Sequence, residues 1–297
     1  MEQREVKESA PAKVNLALSV GGKRQDGYHE ILTLMETVSL CDELTVRVEN
    51  GLLPEIKLSV SGNYPVSEDP SNLVVRAAEA FFASSGDRFP ISVTLLKRIP
   101  TEAGLGGGSA DAAAALRALN RLAPRPLSPS VLSEIAAKLG ADVAFCLSGG
   151  TAICSGIGET IEPVADPAPR HYVVVMGRDR VSTPAAYRAL DSARKGGQTS
   201  AFPPKDRFVS IARGDETALF NDFESVVFPE HPGIAAIKER LLSLGAIDAL
   251  MTGSGAAVFG IFPDFRRAEA AAASFSDAAA FVVSSIGFIN KGKGVSP

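Results

Sequence analysis

Cysteine is scarce in this chain of 297 residues: Cys41, Cys146 and Cys154 are the three present, and no two of them form a CxxC pair. A disulfide framework or a cysteine zinc site needs closely spaced sets, so this usage argues against both and points to a reducing compartment. Long apolar runs are also missing. None approaches the roughly 18 residues of a membrane span, and the opening MEQREVKES lacks the apolar centre of a signal peptide. A basic excess is the third absence. Lys and Arg number 30 against 34 Asp and Glu, a net charge of −4, whereas nucleic-acid scaffolds carry a positive surplus. The expectation is a cytoplasmic protein, monomeric or homodimeric, with a small-molecule partner and neither a nucleic-acid nor a membrane partner.

What is present suits a packed core. Hydrophobic residues make up 45% and charged residues 22%, and the length accommodates two ordinary domains. The segments AKVNLALSV, ILTLMETVSL, DELTVRVEN and EIKLSV, separated by Gly, Asn, Pro or Asp, predict a run of antiparallel strands. SNLVVRAAEAFFASSG predicts a helix capped by Ser71 or Asn72 and stopped by Gly86, and ISVTLLKRIP a strand stopped by Pro100. Helices follow over 109–122 and in SPSVLSEIAAKLG, then strand and turn in GGTAICSGIGETIEPV. The Pro-rich stretch 166–170 is the candidate boundary between domains at 1–166 and 167–297. Beyond it come the strand HYVVVMG, an exposed, mobile loop KGGQTSAFPPKDR, and helices DETALFNDFESVVF and GIAAIKERLLSLG. Two short strands around a Gly turn in ALMTGSGAAVFGIF, the helix DFRRAEAAAASF and the strand AAFVVSSI complete the pattern. Mixed helix and strand in both halves indicate an α+β fold.

The stretch EAGLGGGSADAAAAL at 102–116 sets glycines directly against strong helix formers. A P-loop needs Lys after its last glycine, and none follows Gly106, Gly107 or Gly108. A dinucleotide fingerprint needs glycine at 109 or at 111, where Ser109 and Asp111 stand. What remains is a strand, a Gly-rich turn and a helix N-terminus. Glycines let backbone N–H groups approach a ligand, and the helix end carries about half a positive charge, so an anion fits. The plain alternative is a turn that only permits tight helix–strand packing.

PTEAGLGGGSADAAAAL resembles the second motif of the GHMP kinase superfamily, APAKVNLALSV its first and MTGSGAAVFG its third, in matching order over nearly the whole chain. GGKRQDGYHEILTLMETVSLCDEL and LGADVAFCLSGGTAICSGIGE are similar to segments of one subfamily, whose substrate is a cytidine diphosphate-linked methylerythritol of the non-mevalonate isoprenoid pathway. The resemblance implies a ribosomal protein S5-like N-terminal domain, a ferredoxin-like C-terminal domain and a site in the cleft between them. It further implies transfer of the γ-phosphate of ATP, with Mg²⁺, to a 2-hydroxyl.

The same resemblance implies the roles of individual residues. Asp142 is the expected base and Lys13 its partner, with Asn15 contacting substrate; strand alternation puts Lys13, Asn15 and Ala17 on one face. Tyr28 and His29 read the cytosine, Tyr187 supplies a second stacking ring, and Thr183 lies near the reacting end. ATP is expected along Pro100, Thr101, Glu102, Ala103, Gly104, Leu105, Gly106, Gly107, Gly108, Ser109 and Ala110. Asn72, Leu73 and Lys97 are expected around the adenine or a phosphate, and Gly253, Ser254 and Gly255 as a second turn from the other domain. Metal ligands are not assigned. Glu102, a charge beside a phosphate loop, is expected to face solvent, and NDFE at 221–224 to be structural. On residue type alone Asp142 reads sooner as a turn residue, Lys13 as a solvated strand lysine and His29 as an exposed turn residue, and Tyr187 equally as a helix-face core residue. Another small-molecule kinase of the superfamily, a non-catalytic ligand-binding member, or a dinucleotide-dependent oxidoreductase are the competing functions. The DGYHE segment, the presence of both Lys13 and Asp142, and the failed fingerprint speak against these in turn.

Overall fold

A computed structural model describes residues 4–51, 54–194 and 201–289 of the chain. The first half opens on two long strands, β1 (Glu5–Lys23) and β2 (His29–Val48), joined by a tight turn in which Gly27 adopts φ +89°. The two segments expected as separate strands in 31–50 are one continuous β2. Its pairing with β1 shifts register between Pro11 and Lys13 and again between Asn15 and Ala17, so irregularity is absorbed as bulges rather than breaks.

Next come β3 (Ile56–Gly62), α1 (Leu73–Ser85), β4 (Ile91–Lys97), α2 (Gly107–Leu122), α3 (Pro129–Leu139), α4 (Ala141–Ser148), β5 (Thr151–Gly156) and β6 (Thr160–Pro163). The helix signals are met at both ends: Asn72 caps α1 through the Val74 N–H, Gly86 ends it at φ +70°, and Ser128 caps α3. One expectation fails here. The antiparallel run does not continue from β2 to β3, because β3 pairs instead with β4, in parallel, with α1 as the crossover between them.

After the 166–170 stretch the chain forms β7 (His171–Met176), α5 (Thr183–Ala193), α6 (Lys205–Ala212), β8 (Phe220–Asn221), α7 (Glu224–Glu230), α8 (Pro232–Ser243), β9 (Asp248–Met251), β10 (Val258–Phe262), α9 (Phe265–Ala272) and β11 (Ala279–Ser284). Residues 195–200 of the expected exposed loop lie outside the described residues, and the rest of it enters α6. The helix expected over 215–228 is instead the short β8 followed by α7. Strand pairing overrode helical spacing: β8 lies parallel to β1 and so crosses from the second half into the first sheet.

That first sheet runs β3-β4-β2-β1-β8, with β5 and β6 extending from β2; the second runs β11-β7-β10-β9, every neighbour antiparallel. The second order is that of a ferredoxin-like βαββαβ unit, as expected. One apolar core joins Ala12, Leu16 and Leu34 to Val174 and Phe259, so the halves share packing. The fully buried Arg170 donates to Glu36 of β2 at 3.2 Å, and the Tyr172 hydroxyl also donates to Glu36, which ties β7 to the first sheet. No described helix is long and apolar enough to cross a membrane.

Candidate active site

The glycine run folds into the first turn of α2. Gly106 is its N-cap at φ +69°, and no side chain caps the helix, so the N–H groups of its first turn are left for another acceptor. Alanines fill the buried face, Ala110 and Ala112 to Ala115, which lets α2 lie close on β1. A cavity of about 270 Å³ opens at this helix end, lined by Leu73, Lys97 and residues 100–109. Pro100, Ala103 and Leu105 are the buried part of its wall, while Glu102 is exposed, as expected. A cavity of about 300 Å³ beside Gly177, Gly233 and Ala256 contains none of the expected catalytic or loop residues.

Lys13 lies on β1 directly under the loop. Its strand is buried on both faces, so the solvated-lysine reading fails: Lys13 is 4% exposed. Its N–H donates to Leu105 O at 3.0 Å, and its Nζ donates to Asn15 Oδ1 at 2.7 Å and stands 3.5 Å from Asp142 Oδ2. Asp142 occupies the first turn of α4, where the helix dipole favours a carboxylate, and its side chain keeps about a third of its exposure. Gly106 is the hinge between loop and ion pair. A Cβ there would sit 3.0 Å from Lys13 Cγ and 3.7 Å from Asp142 Oδ2.

The turn after β9 closes the other side. Gly253 is so close that a Cβ on it would meet Gly104 Cα at 3.2 Å, and a Cβ on Gly104 would reach Thr252 O at 2.2 Å. Ala257 N–H donates to Ala103 O at 3.1 Å. Thr252, which motif reading passed over, links three pieces: its hydroxyl bonds Gly104 O and Asn15 Oδ1, each at 3.2 Å, and accepts the Asn15 N–H at 3.1 Å. Asn221, within NDFE, donates to Met251 O at 2.6 Å and Gly253 O at 2.8 Å, so the structural expectation for that segment holds. Ser254 shares a hydrogen bond with Thr183 at 2.7 Å.

The chain is similar to known proteins in sequence and in fold. Residues 72–150 match the family model for the GHMP kinases N terminal domain, and residues 206–280 that for the GHMP kinases C terminal. A protein of Desulfitobacterium hafniense named 4-diphosphocytidyl-2-C-methyl-D-erythritol kinase is 40% identical over 92% of this chain and 92% of its own. One of the same name from Solidesulfovibrio magneticus is 44% identical over 89% of this chain and 90% of its own. The chain is a GHMP kinase. A crystal structure of 4-(cytidine 5'-diphospho)-2C-methyl-D-erythritol kinase superposes with a TM-score of 0.80 at 35% identity, covering 95% of this chain and all of that one. A homoserine kinase from Cytophaga hutchinsonii, at 19% identity and TM-score 0.71 over 96% of this chain and 95% of its own, shares the fold.

Several side chains of this kinase are already committed to protein partners. Lys97 lines the cavity but is 1% exposed; its Nζ donates to Asp42 and, at 2.7 Å, to Asp111 Oδ2. The other Asp111 oxygen has no partner among the described residues. Burial, joined by the Asp42 charge and opposed by Lys97, pushes the Asp111 carboxyl up to about 8. Burial pulls the Lys97 ammonium down, but the two carboxylates together outweigh it and its pKa rises. Asn15 accepts from Lys13 and donates to Thr33 at 2.9 Å, which makes it a support for the lysine. Asn72 uses its amide on Val74 N–H and Ser67 O, leaving Leu73 as the residue of that pair in the cavity wall.

Across the cleft Tyr28 is 61% exposed, whereas His29 is buried, contrary to the exposed-turn reading. The His29 ring stacks on Tyr187 with centroids 4.8 Å apart, and Tyr187 meets Phe223 edge-on at the same separation. Burial, with a smaller contribution from the Asp142 charge, pushes the Tyr187 phenol up to about 12.

Proposed function

We propose that this kinase transfers the γ-phosphoryl group of ATP to the 2-hydroxyl of 4-diphosphocytidyl-2-C-methyl-D-erythritol, a step of the non-mevalonate route to isoprenoid precursors. The substrate assignment rests on the relatives' names; the chemistry rests on the meeting of an uncapped helix end with the Lys13–Asp142 pair at Gly106. In this reading ATP lays its phosphates along residues 100–110, beside Leu73 and the 253–255 turn. Asp142 takes the proton of the 2-hydroxyl as its oxygen bonds the γ-phosphorus and the bridging oxygen leaves with ADP. Phosphoryl transfer through a loose transition state demands little activation of the nucleophile, so Asp142 contributes chiefly by holding the hydroxyl in line. Lys13 offsets charge at the reacting oxygens. Tyr28, His29 and Tyr187 take the cytidine end, and Thr183 lies towards the phosphate acceptor.

Among the described residues no three His, Cys, Asp or Glu side chains could hold a metal by themselves. We infer that Mg²⁺ would arrive on the nucleotide and keep most of its waters, as Mg²⁺ commonly does. When bound, the ion neutralises phosphate charge. We read residues 1–166 and 167–297 as the two domains of a cytoplasmic enzyme, a monomer or homodimer.

Incubation with Mg-ATP and the cytidyl substrate should release ADP, measured by a coupled assay; background rates, or turnover of homoserine instead, would refute the substrate. Asp142→Asn should lower kcat by about 10²–10⁴-fold, the usual contribution of a placed acid–base group. A variant within a few-fold of the parent would sink the base assignment.

A further inference from the structure

We propose that Asp191 is a positioning residue which sets base selectivity by fixing the proton on His29. The proposal deepens the function above and rests on its reading that His29 faces the cytosine. His29 heads β2, and its side chain is 7% exposed. Its Nε2 lies 2.7 Å from Asp191 Oδ1, and its face lies on Tyr187 at an interplanar angle of 25°. Tyr187 and Asp191 are four residues apart on α5, so one face of that helix grips the ring twice, once by stacking and once by a hydrogen bond. The helix belongs to the second half and the histidine to the first; the grip therefore spans the cleft in which substrate is proposed to bind.

A carboxylate only accepts, so the nitrogen facing Asp191 carries the proton. In the neutral ring Nδ1 is then a bare acceptor, and no protein group among the described residues hydrogen-bonds to it. An acceptor suits the exocyclic amino group of cytosine and opposes the carbonyl oxygen that uracil has at the same position. A site built around one hydrogen bond rejects an analogue that cannot make it far more strongly than an apolar pocket rejects a misfit. Asp191 is itself 41% exposed and outside the core, so its replacement leaves packing largely intact.

The test compares cytidine- and uridine-diphosphate-linked methylerythritol as substrates at saturating Mg-ATP, for the parent, Asp191→Asn, Asp191→Ala and His29→Ala. An asparagine can present either its amide N–H or its oxygen to Nε2, so it no longer compels the ring proton to sit there. Asp191→Asn should therefore raise KM for the cytidine substrate about tenfold and cut the cytidine-to-uridine ratio of kcat/KM by at least about tenfold. Its kcat and its KM for ATP should stay within about twofold of the parent. Asp191→Ala should raise the same KM and narrow the ratio. An unchanged ratio in both Asp191 variants refutes the proposal, as does a common fall in kcat without a change of ratio, the sign of a merely structural residue. His29→Ala separates the two levels. If it raises KM while the Asp191 variants do not, only the role of Asp191 falls; if it too changes nothing, His29 does not read the base.

Discussion

Gly106→Ala probes the junction on which the proposed mechanism depends, because Gly106 belongs to the loop and lies against the Lys13–Asp142 pair. Its φ of +69° lies in the left-handed region, which costs an L-residue about 1–2 kcal/mol. The new Cβ would stand 3.0 Å from Lys13 Cγ and 3.2 Å from Cε, tight enough that something must move by a few tenths of an ångström. Lys13 has nowhere to retreat. It is buried, its Nζ is held by Asn15, and Asn15 is held by Thr33 and Thr252. The displacement therefore falls on the 3.5 Å approach of Nζ to Asp142. A misplacement of about 1 Å can cost about 10²-fold in rate, so a few tenths should cost several-fold to about tenfold in kcat. Melting temperature should fall by about 2–8 °C, at about 2–4 °C per kcal/mol for a chain of this size. Gly108→Ala is the control for stability alone. Its Cβ would meet Leu73 Cδ1 at an ordinary 3.6 Å, and alanine within a helix gains about 0.5–1 kcal/mol over glycine. Coupled ADP release and thermal melts read both variants. A Gly106→Ala enzyme with the parent's kcat and melting temperature would show that the loop does not brace Lys13, and the mechanism would lose its geometric basis.

Two further outcomes follow from the supports around the site. Asp111 has its carboxyl pushed up to about 8, first by burial, so the folded chain holds a proton that the unfolded chain releases near pH 4. The folded state binds more protons within that window, and stability falls as pH rises through it, by at most about 1.4 kcal/mol per pH unit. Asp111→Asn cannot titrate, so its melting temperature should gain on the parent's steadily from pH 6 to 8; parallel curves would refute the buried proton. Asn221→Ala strips the donor from two carbonyls of the 251–253 segment and should cost about 1–3 kcal/mol in urea unfolding. A loosened turn against Gly104 should lower kcat with it, and full activity would mean that Thr252 alone holds the turn.

Features that act within a few residues were legible in the sequence. Asn72 and Gly86 bracket α1, and Ser128 and Gly140 bracket α3, because caps satisfy backbone groups in the adjacent turn. The glycine loop belongs to the same kind. Gly104 at φ +74° and Gly106 at +69° meet conformational demands that few other residues accept, so a run of glycines before alanines announces a helix end open to a ligand. The segment 215–228 shows where local signals stop. Its apolar spacing suits a helix, yet Phe220 and Asn221 pair with Ala17 and Leu18 of β1, and pairing to a distant strand outweighs propensity.

The site itself is assembled from distant parts of the chain, which is why resemblance named its residues while chemistry alone left them ambiguous. Lys13 alternates like any strand residue, and only the helices and second half that cover β1 bury it beside Asp142. Lys97 shows the reverse case. A lysine at the end of a strand before a phosphate loop invites a phosphate, but the fold brings Asp42 from β2 and Asp111 from α2 to it, and its charge is spent inside. Thr252 carries no chemistry of its own in the sequence, yet it bonds Asn15 from 237 residues away and braces Gly104 as well. A threonine in a glycine turn is common; one whose hydroxyl accepts a strand N–H and donates to the amide oxygen that supports a lysine exists only in the folded chain. Positioning residues are thus harder to read than reacting ones, because their role is defined by what they hold and not by what they can do.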